Sequence, residues 1–147
     1  MGVNSSDVVG AWVLGDFRIT FSDDRPSVFP FGEDAVGQIL YAASGHMSAV
    51  LSRADRPAVS ASRLETAGSA PADEKAAAFD SYLSYGGTWS VDGDDIIHTV
   101  THALTPNLVG QENRRHVTLG TDSVTLSYSL VARSGVTRTY TLRWMRP

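Results

Sequence analysis

The sequence predicts an all-β protein of eight or nine antiparallel strands with one α-helix, in one domain spanning residues 1–147. Runs rich in β-branched and aromatic residues recur from Val8 to Met145. Short polar turns such as Asp92-Gly-Asp-Asp95 and Ser134-Gly135 separate many of them, which favours antiparallel neighbours. Only one segment, about 71–85, carries a helical pattern.

Val8–Phe21 reads as a long first strand, and Ser22–Pro26 as a turn. Val28–Phe31 reads as a short strand and Gly32–Asp34 as loop. Val36–Ala43 and His46–Ser52 form a hairpin about Ser44-Gly45, where Gly45 supplies the positive φ such a turn needs. Residues 54–70 are polar and rich in Ala, Ser and Pro; that length of loop implies either disorder or a lid. The helix opens on Pro71 with Asp73 and Glu74 at its positive end. Ala76, Phe79 and Leu83, flanked by Tyr82, make its apolar stripe, and Gly86-Gly87 ends it. Strands follow at Thr88–Val91, Ile96–Leu104, Glu112–Leu119, Ser123–Arg133 and Val136–Met145. Two stacked sheets or a closed barrel would bury the apolar faces of such a set. Eight strands close around a space that can hold one small ligand.

Apolar residues make up 42% and charged residues 19%, an ordinary globular composition. The chain has no cysteine, which excludes disulfides and thiolate chemistry and fits a reducing cytoplasm. The net charge is −4 and Lys75 is the only lysine, so nucleic acid is not an expected partner. No apolar run is long enough to span a membrane, and the first residues lack the pattern of a signal peptide. The expected location is cytoplasmic. No nucleotide loop, nucleophile elbow or His-Glu-x-x-His motif is present, so no cofactor and no metal are expected. Asp92-Gly-Asp-Asp95 lacks calcium-loop spacing and reads as a hairpin turn.

Gly10-Ala-Trp12, then Pro30-Phe-Gly-Glu-Asp34, Val36-Gly37, Leu40-Tyr41, Gly45-His-Met-Ser48 and Arg53 occur in order. Tyr82-Leu-Ser-Tyr-Gly-Gly-Thr-Trp89 follows, then His98, Pro106-Asn107, Gly110 and Arg115. Together these resemble the lipocalin-like domain family of compact bacterial and fungal proteins, over nearly the whole chain. The resemblance implies an up-and-down β-barrel around an internal cavity. Barrels of this kind include carriers and cofactor-free cyclases or isomerases, so the fold alone does not set the activity. The chain departs from the family pattern at Leu108, where an aromatic residue is common, and at His102 and His116.

Strand alternation puts His98 and His102 on one face, about 13 Å apart at about 3.3 Å per residue, too far to share a metal ion. His98 matches the family position. His98 and His46 are the candidate proton carriers, each set against a structural or solvated histidine. Arg115 is the third candidate catalytic group, suited to a carboxylate or enolate oxygen, with Glu112 or Glu33 as its acidic partner. The alternative for Arg115 is to close the barrel by stacking on Trp12, a role for which Arg143 competes. Tyr41, Ser48, Tyr85, Trp89, His102 and Glu112 are the candidate ligand-binding residues, the aromatics set against ordinary core. The favoured function is a cofactor-free cyclase or isomerase acting on a small hydrophobic, natural-product-like substrate by confinement and acid/base help. The alternatives are a non-catalytic carrier and an interaction module whose barrel is filled by side chains. A small hydrophobic ligand is the expected partner, and a homodimer is allowed.

Overall fold

A computed structural model, which describes residues 2–60 and 63–147, shows a closed barrel of eight antiparallel strands in sequential order. The strands are β1 (Gly10–Phe21), β2 (Val36–Tyr41), β3 (His46–Ser52) and β4 (Tyr82–Asp92). They continue with β5 (Asp95–Ala103), β6 (Glu112–Gly120), β7 (Ser123–Val131) and β8 (Thr137–Met145). β1 closes the ring: its first residues pair with β2, and Val13–Phe21 pair with β8. Closure leaves no sheet edge unpaired, which decides between the barrel and two stacked sheets.

One end of the barrel is plugged. The short helix α1 (Ser5–Val8) lies there with the β2–β3, β4–β5 and β6–β7 turns. Val8 is fully buried, and the Trp12 indole N–H donates to its carbonyl at 2.9 Å. The Arg146 guanidinium stacks on the Trp12 ring at 3.6 Å. Arg115 and Arg143, the arginines expected in that role, are elsewhere. Arg115 points into the barrel, and Arg143 is exposed with its Nε 3.3 Å from Met145 Sδ. Val8 was expected to start β1. It is helical instead because Asn4 and Asp7 close a turn before it, the Asp7 carboxylate accepting from the Asn4 N–H at 3.0 Å.

The β2–β3 and β7–β8 connections repeat one design. Gly45 N–H donates to Ala42 and Ala42 N–H to His46; Gly135 and Ala132 do the same with Ala132 and Val136. Both glycines have φ near +90° (91° and 88°), the conformation that Gly adopts without a Cβ penalty. The connection is thus a three-residue loop with a glycine bulge rather than a two-residue turn.

The helix is shorter than the sequence pattern suggests. α2 runs Ala72–Asp80 and buries none of its residues, leaving Phe79 45% exposed. Tyr82–Tyr85 belong to β4, paired with Ala49–Ser52 of β3. Strand pairing wins there because it satisfies the β3 backbone and turns Leu83 and Tyr85 inward. Gly86 and Gly87 do not end a helix but lie within β4. A Cβ on Gly87 would run into the Thr99 carbonyl of β5, whereas one on Gly45 would meet open space. Gly87→Ala is therefore expected to cost about 2 kcal/mol and Gly45→Ala about 1 kcal/mol, through φ alone. Urea denaturation of both variants checks the order.

Val28–Phe31 is not a strand; a single bridge joins Val28 to Ile19. In the 54–70 segment, residues 54–60 are tethered to α2. The Glu74 carboxylate accepts from the Ser60 N–H and hydroxyl at 2.7 and 2.6 Å. Arg56 donates to the Ser81 hydroxyl and the Ala78 carbonyl, both at 3.0 Å. Leu64–Ser69 form a 3-10 turn, and residues 61 and 62 lie outside the described residues. Among the described residues no helix is long and apolar enough to cross a membrane.

Candidate functional site

Inward side chains pack the plugged half solidly: Trp12, Met47, Trp89, Ile96 and Val124 are all buried. The other half is hollow. A cavity of about 70 Å³ lies between Phe17, Ile39, Ala49 and Leu51 on one side and Leu126 and Leu142 on the other. Tyr85, His98, Arg115, Tyr128 and Trp144 complete its wall. Val28 and Leu130 are about half exposed.

His98 is 1% exposed, and both ring nitrogens are engaged. The Tyr41 hydroxyl lies 2.6 Å from Nε2 and the Tyr85 hydroxyl 2.8 Å from Nδ1. The register of the barrel builds this chain. His98 is opposite Trp89, and the Trp89 indole, anchored to the Ala42 carbonyl at 2.9 Å, backs the Tyr41 ring at 5.0 Å. Burial, reinforced by the Arg115 charge, pushes the His98 pKa down from 6.5 to about 3. Burial also raises Tyr41 well above its usual value and Tyr85 to about 12, with Arg115 opposing both. At neutral pH all three groups are uncharged.

A neutral imidazole offers one N–H and one lone pair. One tyrosine therefore donates to His98 and the other accepts from it. Tyr41 is 2% exposed and, among the described residues, has no other hydrogen-bond partner. Its proton must go to Nε2, since otherwise it would be buried without an acceptor. The Nδ1–H then donates to Tyr85. That leaves the Tyr85 proton, on the cavity wall, free for another acceptor.

Arg115 is half-buried. Its guanidinium lies over the Tyr128 ring at 3.8 Å, and Nη1 donates to the Arg114 carbonyl at 2.9 Å. Among the described residues no carboxylate pairs with it, and the cavity wall contains no acidic residue. The Trp144 indole N–H is buried without an acceptor.

The structure brings together Tyr41, Tyr85, His98 and Arg115, with Trp89 inside but behind the cavity. It does not bring in the other four candidates. His46 is exposed beside the Ser44 hydroxyl at 3.2 Å, and Ser48 is exposed two residues on. Met47 and Ala49 are the inward pair of β3. Glu112 is exposed opposite Thr99, one position out of phase with Arg115, and is not its partner. His102 does not share the His98 face. A β-bulge sets Gly86 against His102 but Gly87 against Val100, so Thr101 is an extra residue and the alternation reverses. His102 is exposed, with the Thr101 hydroxyl 2.9 Å from Nδ1, and His116 is exposed beside Asp95 at 3.5 Å. Tyr128 is a wall residue not singled out from the sequence, and Trp144, an aromatic expected in the core, is buried there with its indole N–H unpaired. The alternation Val124, Leu126, Tyr128 would have placed the first inward.

Two wider grooves, about 310 and 830 Å³, lie between residues 56–59 and α2 and are open to solvent. Neither contains a buried titratable group. Among the described residues no cluster of His, Cys, Asp and Glu could hold a metal ion.

A family model described as a lipocalin-like domain matches residues 9–147. No curated protein and no solved structure matches the chain.

Proposed function

Since the chain belongs to the lipocalin-like domain family, we propose that its barrel binds one small, largely apolar molecule head-first through the open end. The observation behind this reading is the asymmetric interior, solid at the plugged end and with a cavity in the other half. The cavity of about 70 Å³ is well below the several hundred of a drug-sized pocket. That volume cannot hold a drug-sized ligand and favours the filled-barrel alternative on that count, so the binding reading requires that only the head of a ligand enters and the rest lies outside. Ala49→Leu adds three carbons to that space. It is expected to reduce binding at least tenfold while changing stability by no more than about 1–3 kcal/mol. Tryptophan fluorescence titrated with a panel of short-chain acids, ketones and alcohols measures it. Unchanged affinity in a folded A49L protein would remove the interior as the binding site.

A second reading, a cofactor-free cyclase or isomerase, is favoured by the Tyr41–His98–Tyr85 chain on the cavity wall. Its geometry changes the expected roles. His98 lines the cavity but has both nitrogens engaged by tyrosines, which leaves it no free nitrogen for substrate and makes it a positioning residue. Tyr85 and Arg115 are the groups able to steady a developing oxyanion. With Tyr85 protonated and His98 neutral and engaged, these groups supply electrophilic help and confinement rather than a strong base. Product formation from a bound ligand, lost in Tyr85→Phe with binding retained, supports catalysis. Binding with no product at any pH supports the carrier.

A further inference from the structure

We infer that the head group held in the cavity is a carboxylate, seated on the Arg115 guanidinium and the Tyr85 hydroxyl. This rests on the binding reading above and names its ligand class. Three groups on this wall have N–H or O–H protons that no protein acceptor takes among the described residues, beside the Tyr128 hydroxyl, which can donate or accept. Tyr85 has one proton that His98 does not take, fixed in direction by the tautomer that Tyr41 imposes. Trp144 has an indole N–H with no acceptor. Arg115 has five N–H groups, and the hydrogen bond to the Arg114 carbonyl uses one of them.

Charge gives the same answer. A half-buried guanidinium normally has a carboxylate nearby, because an uncompensated charge away from water is costly. Here the acidic side chains are elsewhere. Arg114, the outward neighbour, takes Asp92 at 2.9 Å and Asp95 at 3.0 Å, while Arg115 has an aromatic ring and a carbonyl. The cavity wall therefore carries one positive charge with no acidic residue to offset it, an excess of donors, and hydrocarbon over most of the rest. A planar carboxylate matches the fork of a guanidinium and accepts a further O–H bond from Tyr85. A carboxylate group fits about 70 Å³, and an alkyl chain behind it would follow Leu83 and Leu142 toward the open end.

Isothermal titration of the wild-type protein at pH 7 with hexanoate, hexanamide and hexanol provides the test. Hexanoate is expected to bind at least tenfold tighter than either neutral analogue. Arg115→Gln should erase that preference, Arg115→Lys should keep part of it, and Tyr85→Phe should lower it several-fold. Equal affinity for all three compounds overturns the carboxylate assignment and leaves the binding reading standing. Binding of none of them overturns both. The wild-type comparison decides even if Arg115→Gln does not fold.

Discussion

Acidification from pH 7 to pH 4 is expected to remove about 3 kcal/mol of stability through His98 alone. In the fold the imidazole stays neutral down to about pH 3, whereas in the unfolded chain it takes a proton near 6.5. Between those values the unfolded state binds more protons than the folded one. Stability is therefore complete above about 6.5 and falls by up to about 1.4 kcal/mol per pH unit on the way down to about 3. The cause is local: an imidazole 1% exposed, its two nitrogens held by tyrosines, with the Arg115 charge close by. His98→Gln lacks the titrating group and should start less stable at pH 7 yet decline less steeply. Urea denaturation of both proteins at pH 7, 5.5 and 4 separates the two effects. Parallel losses in the two proteins would mean that His98 is not held neutral.

Trp12→Ala should be the most damaging single core change, costing about 3–5 kcal/mol. Trp12 is 3% exposed and does three jobs at the plugged end. It fills the space beside Ile39, its indole N–H holds the Val8 carbonyl, and its ring carries the Arg146 guanidinium. Truncation leaves a cavity, an unpaired carbonyl at the end of α1 and an arginine without its platform. Trp12→Phe keeps most of the bulk and loses chiefly the hydrogen bond, so about 1–2 kcal/mol is expected. Thermal melts read the stability, and limited proteolysis should show residues before Gly10 released first. A loss below about 1 kcal/mol in Trp12→Ala would show that the plug does not support the barrel.

Much of the architecture was legible because strand alternation is local. His46–Ser52, Ile96 to Ala103 and Ser123 to Val131 follow from period-two patterning and turn residues. Tyr82–Tyr85 were misread because their aromatic spacing fits a helix as well as a strand. The choice was made by β3, thirty residues earlier in the chain, which no local pattern records. Of the residues named from the sequence, Tyr41, Tyr85, His98 and Arg115 come together inside the barrel, Tyr85 from a segment read as helix. The site was illegible at His102 because one extra residue, Thr101, inverts the pattern without leaving a mark in composition. The arginine on Trp12 shows the same limit: stacking chemistry was foreseeable, but which arginine arrives depends on how β8 meets β1.

That last meeting has a consequence for biosynthesis. β1 leaves the ribosome well before β8, yet most of its length pairs with β8, and Arg146 follows only after that. Until then Phe17–Phe21 present a bare, apolar, hydrogen-bonding edge, a template for association with other nascent chains. The ring cannot be sealed piecemeal, so β8 must emerge before the interior is shielded. Closure between such distant segments also makes folding slow. Variants that weaken the β1–β8 seam should therefore appear first as insoluble product rather than as a lowered melting temperature.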